Sequence, residues 1–376
     1  MTVYVVLVTI TFISYIFFRY NLIDKKRHSV YEGYNYDFES AKKLVESKTI
    51  TTFFVVYIIL LCLRDTSVGV DVKWYVNGYF NQFQSLSWQQ IVEYKSDELV
   101  FSALTKILGI IFDSPQIYLA IIAVASVTPI LYLYKYEARN ALLCCSFFMI
   151  SLVFEILFSG LRQAIAIGLV VPAYYYAKDK RLFKFILVVA FAMTFHLSAA
   201  IILLIYPVYN AKITAKWLWF VLPAMAVIYR FNSQIFNFLL LFSGEKYYAK
   251  YGVWGLGTTN QYGLLALFVL ISIYCFIVLD EEQADKDDIG FRNLLLLATV
   301  IQFFAPLHFI VSRLNYYFIL FIPIALTRAN YKCKPMFKQV VRVASAIMIV
   351  YFIFYFFFMK GDTLQIMDYK FFFNHI

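Results

Sequence analysis

Apolar runs of membrane-spanning length recur along the chain from Thr2 to Met359, separated by short polar breaks. A transmembrane α-helix needs about 20 consecutive, mostly apolar residues. The pattern therefore predicts an all-α, polytopic membrane helical bundle with about 11 to 13 transmembrane helices, and residues 1–376 form one integral membrane domain. The predicted spans are 2–18, 49–63, 98–112, 115–134, 140–158, 161–177, 182–206, 214–230, 262–279, 291–311, 313–327 and 338–359.

The composition supports a membrane protein and excludes a soluble globular domain. The chain is 62% hydrophobic and 15% charged, with a mean hydropathy of +0.72. Its net charge of +10 lies mostly in short loops beside apolar segments, where the positive-inside rule explains it, so we expect no nucleic-acid partner. The five cysteines and four histidines show no metal-ligand spacing, so we expect no metal and no cofactor.

Short basic loops predict which segments face the cytoplasm. Lysines and arginines are concentrated in 19–48, 178–184 and 328–342, which we therefore place on the cytoplasmic side. Loops about 64–97 and 243–261 then face outside, and so do the polar residues at the outer ends of distant helices. The acidic run "DEEQADKDD" (280–288) is predicted to be a solvated cytoplasmic loop.

Arginines at the outer ends of apolar runs are candidates for binding a diphosphate. Arg162 and Gln163 in "SGLRQ", Arg313 in "VSRLNYYF", and Arg64 all lie there, and the guanidinium fork matches phosphate oxygens. The alternatives are that Arg162 snorkels to the interface or pairs with Glu155, and that Arg313 is an interface anchor in an aromatic belt.

Carboxylates and a histidine on the same side are candidates for acid–base chemistry. Asp71 lies near Tyr75 in "GVDVKWY", where an aromatic face can stack on a sugar while a carboxylate binds or deprotonates a hydroxyl. Glu98 and His196 are the other two candidates. The alternatives are a solvated loop for Asp71, a helix N-terminal charge for Glu98 and a hydrogen-bonded packing residue for His196.

Five motifs in order resemble the EpsG-like family of Wzy-type polymerases of O-antigen, capsule and exopolysaccharide. They are "RDTSVGVDVKWYVNGY", "DELVFSALTKIL", "SGLRQAIAIGLVVPAYYYA", "FHLSAAI" and "SRLNYYF". In the family, the glutamate is usually followed by proline or glycine and then an aromatic residue, and "ELVF" at Glu98 departs from that pattern.

The resemblance implies a metal-independent glycosyltransferase with a bundle of the GT-C type. It would join undecaprenyl-diphosphate-linked oligosaccharide repeat units at the outer face of the bacterial cytoplasmic membrane. Membrane lipids and other polysaccharide-assembly proteins, a flippase and a chain-length regulator, would be its partners. The candidate catalytic residues are Asp71, His196 and Glu98, and the candidate substrate-binding residues are Arg64, Arg162, Gln163, Arg313, Tyr75 and Tyr317.

Two other functions remain open at this point. One is a flippase or transporter of the same lipid-linked oligosaccharide, although transporters commonly show related halves and polar residues at the midplane, and no repeat is apparent here. The other is a membrane acyltransferase that modifies the polysaccharide, with His196 as its base. Elongation, movement without elongation, or acyl transfer by the purified protein would distinguish the three.

Overall fold

The computed structural model of the protein describes residues 1–24, 37–94, 99–241, 261–306 and 309–375. Within these ranges the chain is helical, with two isolated β-bridges and no strand, so the predicted all-α class is confirmed. The α-helices are α1 (Thr2–Arg19), α2 (Phe38–Leu63), α3 (Val72–Tyr75), α4 (Gln82–Ser85), α5 (Trp88–Tyr94), α6 (Leu99–Ile111), α7 (Pro115–Glu137), α8 (Ala141–Ile150), α9 (Leu152–Ser159), α10 (Leu161–Lys178), α11 (Leu182–Phe195), α12 (Ile205–Tyr209), α13 (Leu218–Arg230), α14 (Asn232–Leu241), α15 (Tyr262–Val278), α16 (Lys286–Gln302), α17 (Phe309–Ile319), α18 (Ile322–Tyr331) and α19 (Lys338–Phe358).

Several helices are long and apolar enough to cross a membrane, which confirms a polytopic membrane protein. Among the described residues four qualify singly, and α8 with α9, bent by 60° at Ser151, makes a fifth if the pair is one span. Four more apolar helices are shorter, with 10–17 residues. The predicted total of about 11 to 13 spans stays a prediction. The four long helical stretches are Thr2–Asp24, Phe38–Leu63, Pro115–Glu137 and Pro335–Phe358.

The predicted span 182–206 is wrong, because the chain turns back on itself there. Helix α11 ends at Phe195, and a 3₁₀ helix, Leu197–Leu204, follows it. The Tyr206 hydroxyl donates to the carbonyl of Lys180 at 3.4 Å, so the segment returns to where it began. The 14 residues of α11 rise about 21 Å, which is short of a hydrocarbon core of about 30 Å. His196 therefore lies near the tip of a helical hairpin.

The predicted spans 291–311 and 313–327 also have different boundaries in the structure. Helix α16 begins early, at Lys286, and ends at Gln302, and α17 and α18 follow as two separate helices. The sequence is apolar across both breaks, so its hydropathy pattern carries no signal for them. Hydropathy indicates which segments can lie in lipid. It does not indicate where a helix ends, because an end within the membrane depends on tertiary contacts that satisfy its backbone.

The chain forms two compact units. Unit 1 contains residues 1–176, 182–200 and 344–376, and unit 2 contains 177–181 and 201–343. The predicted outer loop 64–97 belongs to unit 1 and is largely built of short helices, whereas 243–260 of the second predicted loop lies outside the described residues. That all 376 residues form one integral membrane domain stays a prediction.

An aromatic core holds the long helices of unit 1 together. Tyr57 of α2 donates its hydroxyl to the carbonyl of Phe154 at 2.6 Å, and their ring centroids are 4.7 Å apart. Phe158, at the end of α9, packs on Tyr57 and on Tyr4 of α1 with centroid distances of 5.5 and 6.1 Å. Edge-to-face packing of this kind is favourable beyond the area it buries. It fixes the end of α9 close to the end of α2.

A segment that we call the C-terminal strap, residues 360–371, covers this end of unit 1. Arg64, directly after α2, forms an isolated antiparallel bridge with Phe371. The amide of Asp65 donates to the carbonyl of Lys370 at 2.8 Å, and the Tyr369 hydroxyl donates to the carbonyl of Leu60 at 2.7 Å. The strap therefore satisfies backbone groups that the end of a helix leaves unpaired.

A buried ion pair anchors the start of the strap. The Lys360 ammonium lies 2.9 Å from a Glu155 carboxylate oxygen, both side chains are at most 6% exposed, and the ammonium also donates to the carbonyl of Met149 at 3.0 Å. Glu155, which the sequence offered as a partner for Arg162, thus pairs with Lys360 instead. The break between α8 and α9 exposes the carbonyl that Lys360 uses.

At one end of unit 2, segments predicted to be cytoplasmic meet. Lys178 pairs with Asp287 at 2.5 Å, and Arg328 pairs with Asp288 at 2.7 Å. Asp288 is only 4% exposed, so the prediction that 280–288 is a solvated loop is wrong for its helical part. Lys178 and Arg328, which are distant in sequence, are the ion-pair partners of these aspartates.

We predict that the end of unit 1 that carries the strap faces outside, because Arg19, Lys42, Lys43 and Lys48 of the basic segment lie towards the other end of α1 and α2. In a Cys62→Ser background, a membrane-impermeant maleimide should label Gln82→Cys in intact cells. The matched variant Lys43→Cys, exposed at the other end of α2, should be labelled only after permeabilisation. The reverse pattern would contradict an outer-face site.

We predict that Lys360→Met strongly destabilises the protein, because it leaves the Glu155 carboxylate buried without its ion partner. Removing one partner of a buried pair costs about 3–5 kcal/mol. The thermal midpoint of the purified protein should fall sharply, and the double variant Lys360→Met/Glu155→Gln should recover much of the loss. A double variant no more stable than Lys360→Met would show that the pair is not what stabilises the strap.

Candidate functional site

A glycine turn positions the candidate base Asp71. Gly69 has φ +98, and a Cβ there would overlap the carbonyl oxygen of Phe158 at the end of α9. Only glycine adopts this conformation at little cost and leaves room for such a close approach. Two residues later, the amide of Asp71 donates to the hydroxyl of Ser159 at 3.1 Å. The turn therefore holds Asp71, at the start of α3, against the junction of α9 and α10.

Arg162 and Tyr75, both predicted binding residues, are in direct contact. Arg162 lies in the first turn of α10, just after Gly160, and its Nε donates to the Tyr75 hydroxyl at 3.2 Å. Its guanidinium carbon also lies 5.9 Å from the centroid of the Tyr75 ring. Both contacts orient the guanidinium at a helix N-terminus, where the backbone dipole favours anions.

One buried cluster brings together the segments that carry the candidate residues. Val72 and Tyr75 follow Asp71, Leu161 precedes Arg162, and Phe195 precedes His196, and all four pack in the same hydrophobic cluster. Other members come from α4, α6, α7 and α10 and from the π-helical segment 76–81. They include Tyr79, Phe80, Phe83, Phe101, Tyr118 and Ile165. Three distant parts of the sequence thus converge at one place in unit 1.

An exposed tryptophan, Trp74, packs against buried tyrosines of this cluster. Trp74 is 46% exposed, whereas its neighbours Tyr75 and Tyr79 are buried. Its ring packs edge-on against Tyr79 with centroids 4.6 Å apart. The packing holds a large apolar face in place beside Asp71, which is the arrangement a sugar ring can stack on.

His196 is half-buried at the tip of the 182–209 hairpin. Its amide donates to the carbonyl of Ala192 as the last bond of α11, and its own carbonyl accepts from the amide of Ala199 at 2.9 Å. The residue therefore marks the change from α to 3₁₀ geometry. Such breaks within apolar segments are tolerated where the protein satisfies the backbone.

Two predicted binding residues are buried in unit 1. Arg64 is 1% exposed, donates to the carbonyl of Leu157 at 3.4 Å and lies 5.6 Å from the ring of Phe158. Gln163 is 3% exposed. Arg64 therefore helps to pack the end of α2 against α9, and substrate binding by either residue stays a prediction.

The remaining candidates lie elsewhere or outside the described residues. Arg313 and Tyr317 belong to α17 of unit 2, where Arg313 is half-buried and Tyr317 is fully buried. Beside them Asn315 donates to Gln302 at 2.8 Å and Ser312 to Gln261 at 2.7 Å, which fixes the end of α16. Glu98 falls in the segment 95–98, outside the described ranges.

The structure adds residues that sequence reasoning missed. Ser159 accepts the Asp71 amide, and its place in "SGLRQ", at a helix break, was the available signal. Lys106 is 7% exposed and donates to three backbone carbonyls at 2.8–3.0 Å, which ties α6 to the segment 83–86. An isolated lysine in an amphipathic helix carries no signal for that role. In the described part of the chain no three His, Cys, Asp or Glu side chains cluster as metal ligands would.

The fold and the site define a polytopic helical membrane protein with polar residues gathered at one end of unit 1. The family model described as "EpsG family" matches residues 47–371, so the chain belongs to the EpsG family. Membership indicates a membrane protein of polysaccharide biosynthesis, of a family associated with polysaccharide polymerase activity. No curated protein and no solved structure matches the chain significantly.

We predict that Gly69→Ala displaces the turn that holds Asp71. The φ of +98 and the Phe158 carbonyl both oppose a Cβ, and a strained residue costs about 1–3 kcal/mol. The thermal midpoint should fall, whereas the control Gly263→Ala, where an added Cβ meets nothing within 4 Å, should leave it nearly unchanged. Equal midpoints for the two variants would contradict the turn's role.

Proposed function

We propose that the protein polymerises a polysaccharide by joining undecaprenyl-diphosphate-linked oligosaccharide repeat units at the outer face of the bacterial cytoplasmic membrane. Family membership supports the pathway, and the contact of Arg162 with Tyr75 beside Asp71 is the observation that carries the chemistry. A lipid-diphosphate donor needs a cationic group at the level of the headgroups and an acceptor site close by. Unit 1 has both kinds of residue at one end.

Arg162 serves in this proposal as the ligand of the donor diphosphate. The bond from Nε to Tyr75 fixes the plane of the guanidinium, and a fixed fork loses less entropy when it binds phosphate oxygens. The charge on the diphosphate grows as it leaves, so Arg162 stabilises the transition state more than the ground state. Arg313 lies in unit 2, and diphosphate binding by that residue stays a prediction from the sequence.

The transfer itself is a single displacement. An acceptor hydroxyl forms the new bond to the anomeric carbon, the bond from that carbon to the diphosphate oxygen breaks, and the hydroxyl proton passes to a base. Asp71 is our first choice, because the Gly69 turn and Ser159 fix its backbone and Trp74 lies nearby. His196, next to the same cluster, is the second choice and Glu98 the third.

Arg162→Lys tests whether Arg162 binds the donor diphosphate. Lysine keeps the charge but loses the fork and the bond to Tyr75, so we expect elongation of purified lipid-linked repeat units in proteoliposomes to fall by about 100-fold or more. Tyr75→Phe keeps the ring and should have a smaller effect. The control is Arg139→Lys, a half-buried arginine after α7 that donates to the carbonyl of Tyr136. Normal chain lengths with Arg162→Lys would remove Arg162 from the mechanism.

The same assay tests the base and the alternative functions. Removing the true base should lower elongation by about 10² to 10⁴ while donor binding persists, so Asp71→Asn, Glu98→Gln and His196→Ala are compared at several pH values. If His196 is the base, activity of the unmodified protein should fall as the pH drops through about 6 to 7. Normal elongation in all three variants contradicts the acid–base step. Movement of the lipid without elongation indicates a flippase, and acyl transfer an acyltransferase.

A further inference from the structure

A polar cavity of about 320 Å³ lies between the 67–73 turn and the C-terminal strap. Its size is at the lower end of the range for small-ligand pockets. Nothing in the mechanism above uses it, although Asp71 lies on the same turn. Six polar side chains line it: Ser67, Lys73, Asp362, Gln365, Asp368 and Lys370.

The charges of the cavity cancel. Two lysines face two aspartates, and Lys370 lies 3.5 Å from Asp368. The carboxylate of Asp362 is already used within the strap, because its two oxygens accept the amides of Ile366 and Met367 at 2.6 and 3.0 Å. A cavity without excess positive charge suits an uncharged polar ligand better than it suits a diphosphate. The diphosphate matches the guanidinium of Arg162 instead.

Three lining groups have hydrogen-bonding capacity to offer. Within the described residues, the Ser67 hydroxyl, the Lys73 ammonium and the Gln365 carboxamide make no side-chain hydrogen bond or ion pair. Together they supply donors and acceptors of the kinds that sugar hydroxyls pair with. Lys73 is followed by the half-exposed Trp74, whose face suits the apolar side of a sugar ring.

The backbone of the cavity wall is held in an unusual conformation. Gln365 has φ 54 and Gly69 has φ +98, and the Gly69 amide donates to the Gln365 carbonyl at 3.0 Å. Glycine is the usual residue at a left-handed position, and a longer side chain there is strained. Gln365 lines the cavity in this strained conformation, and strained residues are common at functional sites.

We propose that this cavity binds an uncharged sugar of the oligosaccharide repeat unit, separately from the diphosphate. The inference rests on the proposed function. The turn then carries two tasks, because Ser67, Lys73 and the strap bind the glycan while Asp71, between them in sequence, faces the reacting hydroxyl. Binding on both sides of Asp71 would orient the acceptor, which is worth much of the barrier in a bimolecular transfer.

The test uses two probes on the purified full-length protein. The first is the repeat-unit oligosaccharide released from its diphosphate by mild acid, from cells that lack this protein, and the second is inorganic pyrophosphate. Lys73→Met keeps the length of the side chain and removes its charge, and Gln365→Gly removes the carboxamide where the backbone favours glycine. A lost hydrogen bond is worth about fivefold in affinity, so the double variant should bind the oligosaccharide about 25-fold more weakly.

The double variant should leave pyrophosphate binding unchanged, and the control Lys43→Met should change neither affinity. In the elongation assay kcat/KM for the lipid-linked acceptor should fall by at least the same factor as the affinity for the oligosaccharide. If the double variant does not fold, the same affinities are measured with two single variants, Lys73→Met and Gln365→Asn.

The outcomes separate this inference from the proposed function. Unchanged oligosaccharide affinity in the double variant overturns the cavity as a sugar site, whether or not the protein elongates chains. Weaker pyrophosphate binding instead would make it a phosphate site and equally overturn the inference. Absence of elongation by the unmodified protein would defeat the proposed function, whereas loss of oligosaccharide binding in the variant would still support the cavity.

Discussion

The structure of unit 1 depends on one constraint, that backbone amides and carbonyls at membrane depth must be hydrogen-bonded within the protein. Its helices nevertheless break at Ser151, Gly160 and His196. Each break is tolerated because other groups supply the bonds. Ser151 donates its hydroxyl to the carbonyl of Phe148 at 2.6 Å, and Lys360 reaches the carbonyl of Met149. Two candidate residues lie at these breaks, Arg162 just after Gly160 and His196 at the end of α11.

The position of a break decides what the following helix can do. Because α9 stops at Ser159, α10 begins with Gly160 behind it and Arg162 in its first turn. A continuous helix would have no such N-terminus, and its amides could not favour an anion. Since α11 likewise stops at Phe195, His196 lies at a hairpin tip beside the cluster that contains Tyr75. The two breaks therefore place Arg162 and His196 beside the same hydrophobic cluster.

The C-terminal strap has a structural role and, in our proposal, a binding role. Its backbone pairs with the segment Arg64 to Val70, and the ion pair of Lys360 with Glu155 connects it to the α8–α9 break. The same contacts therefore form one wall of the polar cavity and support the turn that carries Asp71. Few hydrogen bonds therefore connect the strap to the turn that carries the candidate base.

The sequence by itself determined the class of the protein, because long apolar runs have no stable alternative to helices in a bilayer and short basic loops bias their orientation. It also indicated Arg162 and His196, since polar groups in or beside apolar runs are costly without a role, and Asp71 with Tyr75, since a carboxylate beside an aromatic ring suits a sugar. Only the tertiary structure decided which of them meet. The contact of Arg162 with Tyr75, the pairing of Glu155 with Lys360 and the turn-back at His196 all depend on partners far away in sequence. Hydropathy does not predict such partners, because it describes the affinity of each segment for lipid and not the contacts between segments.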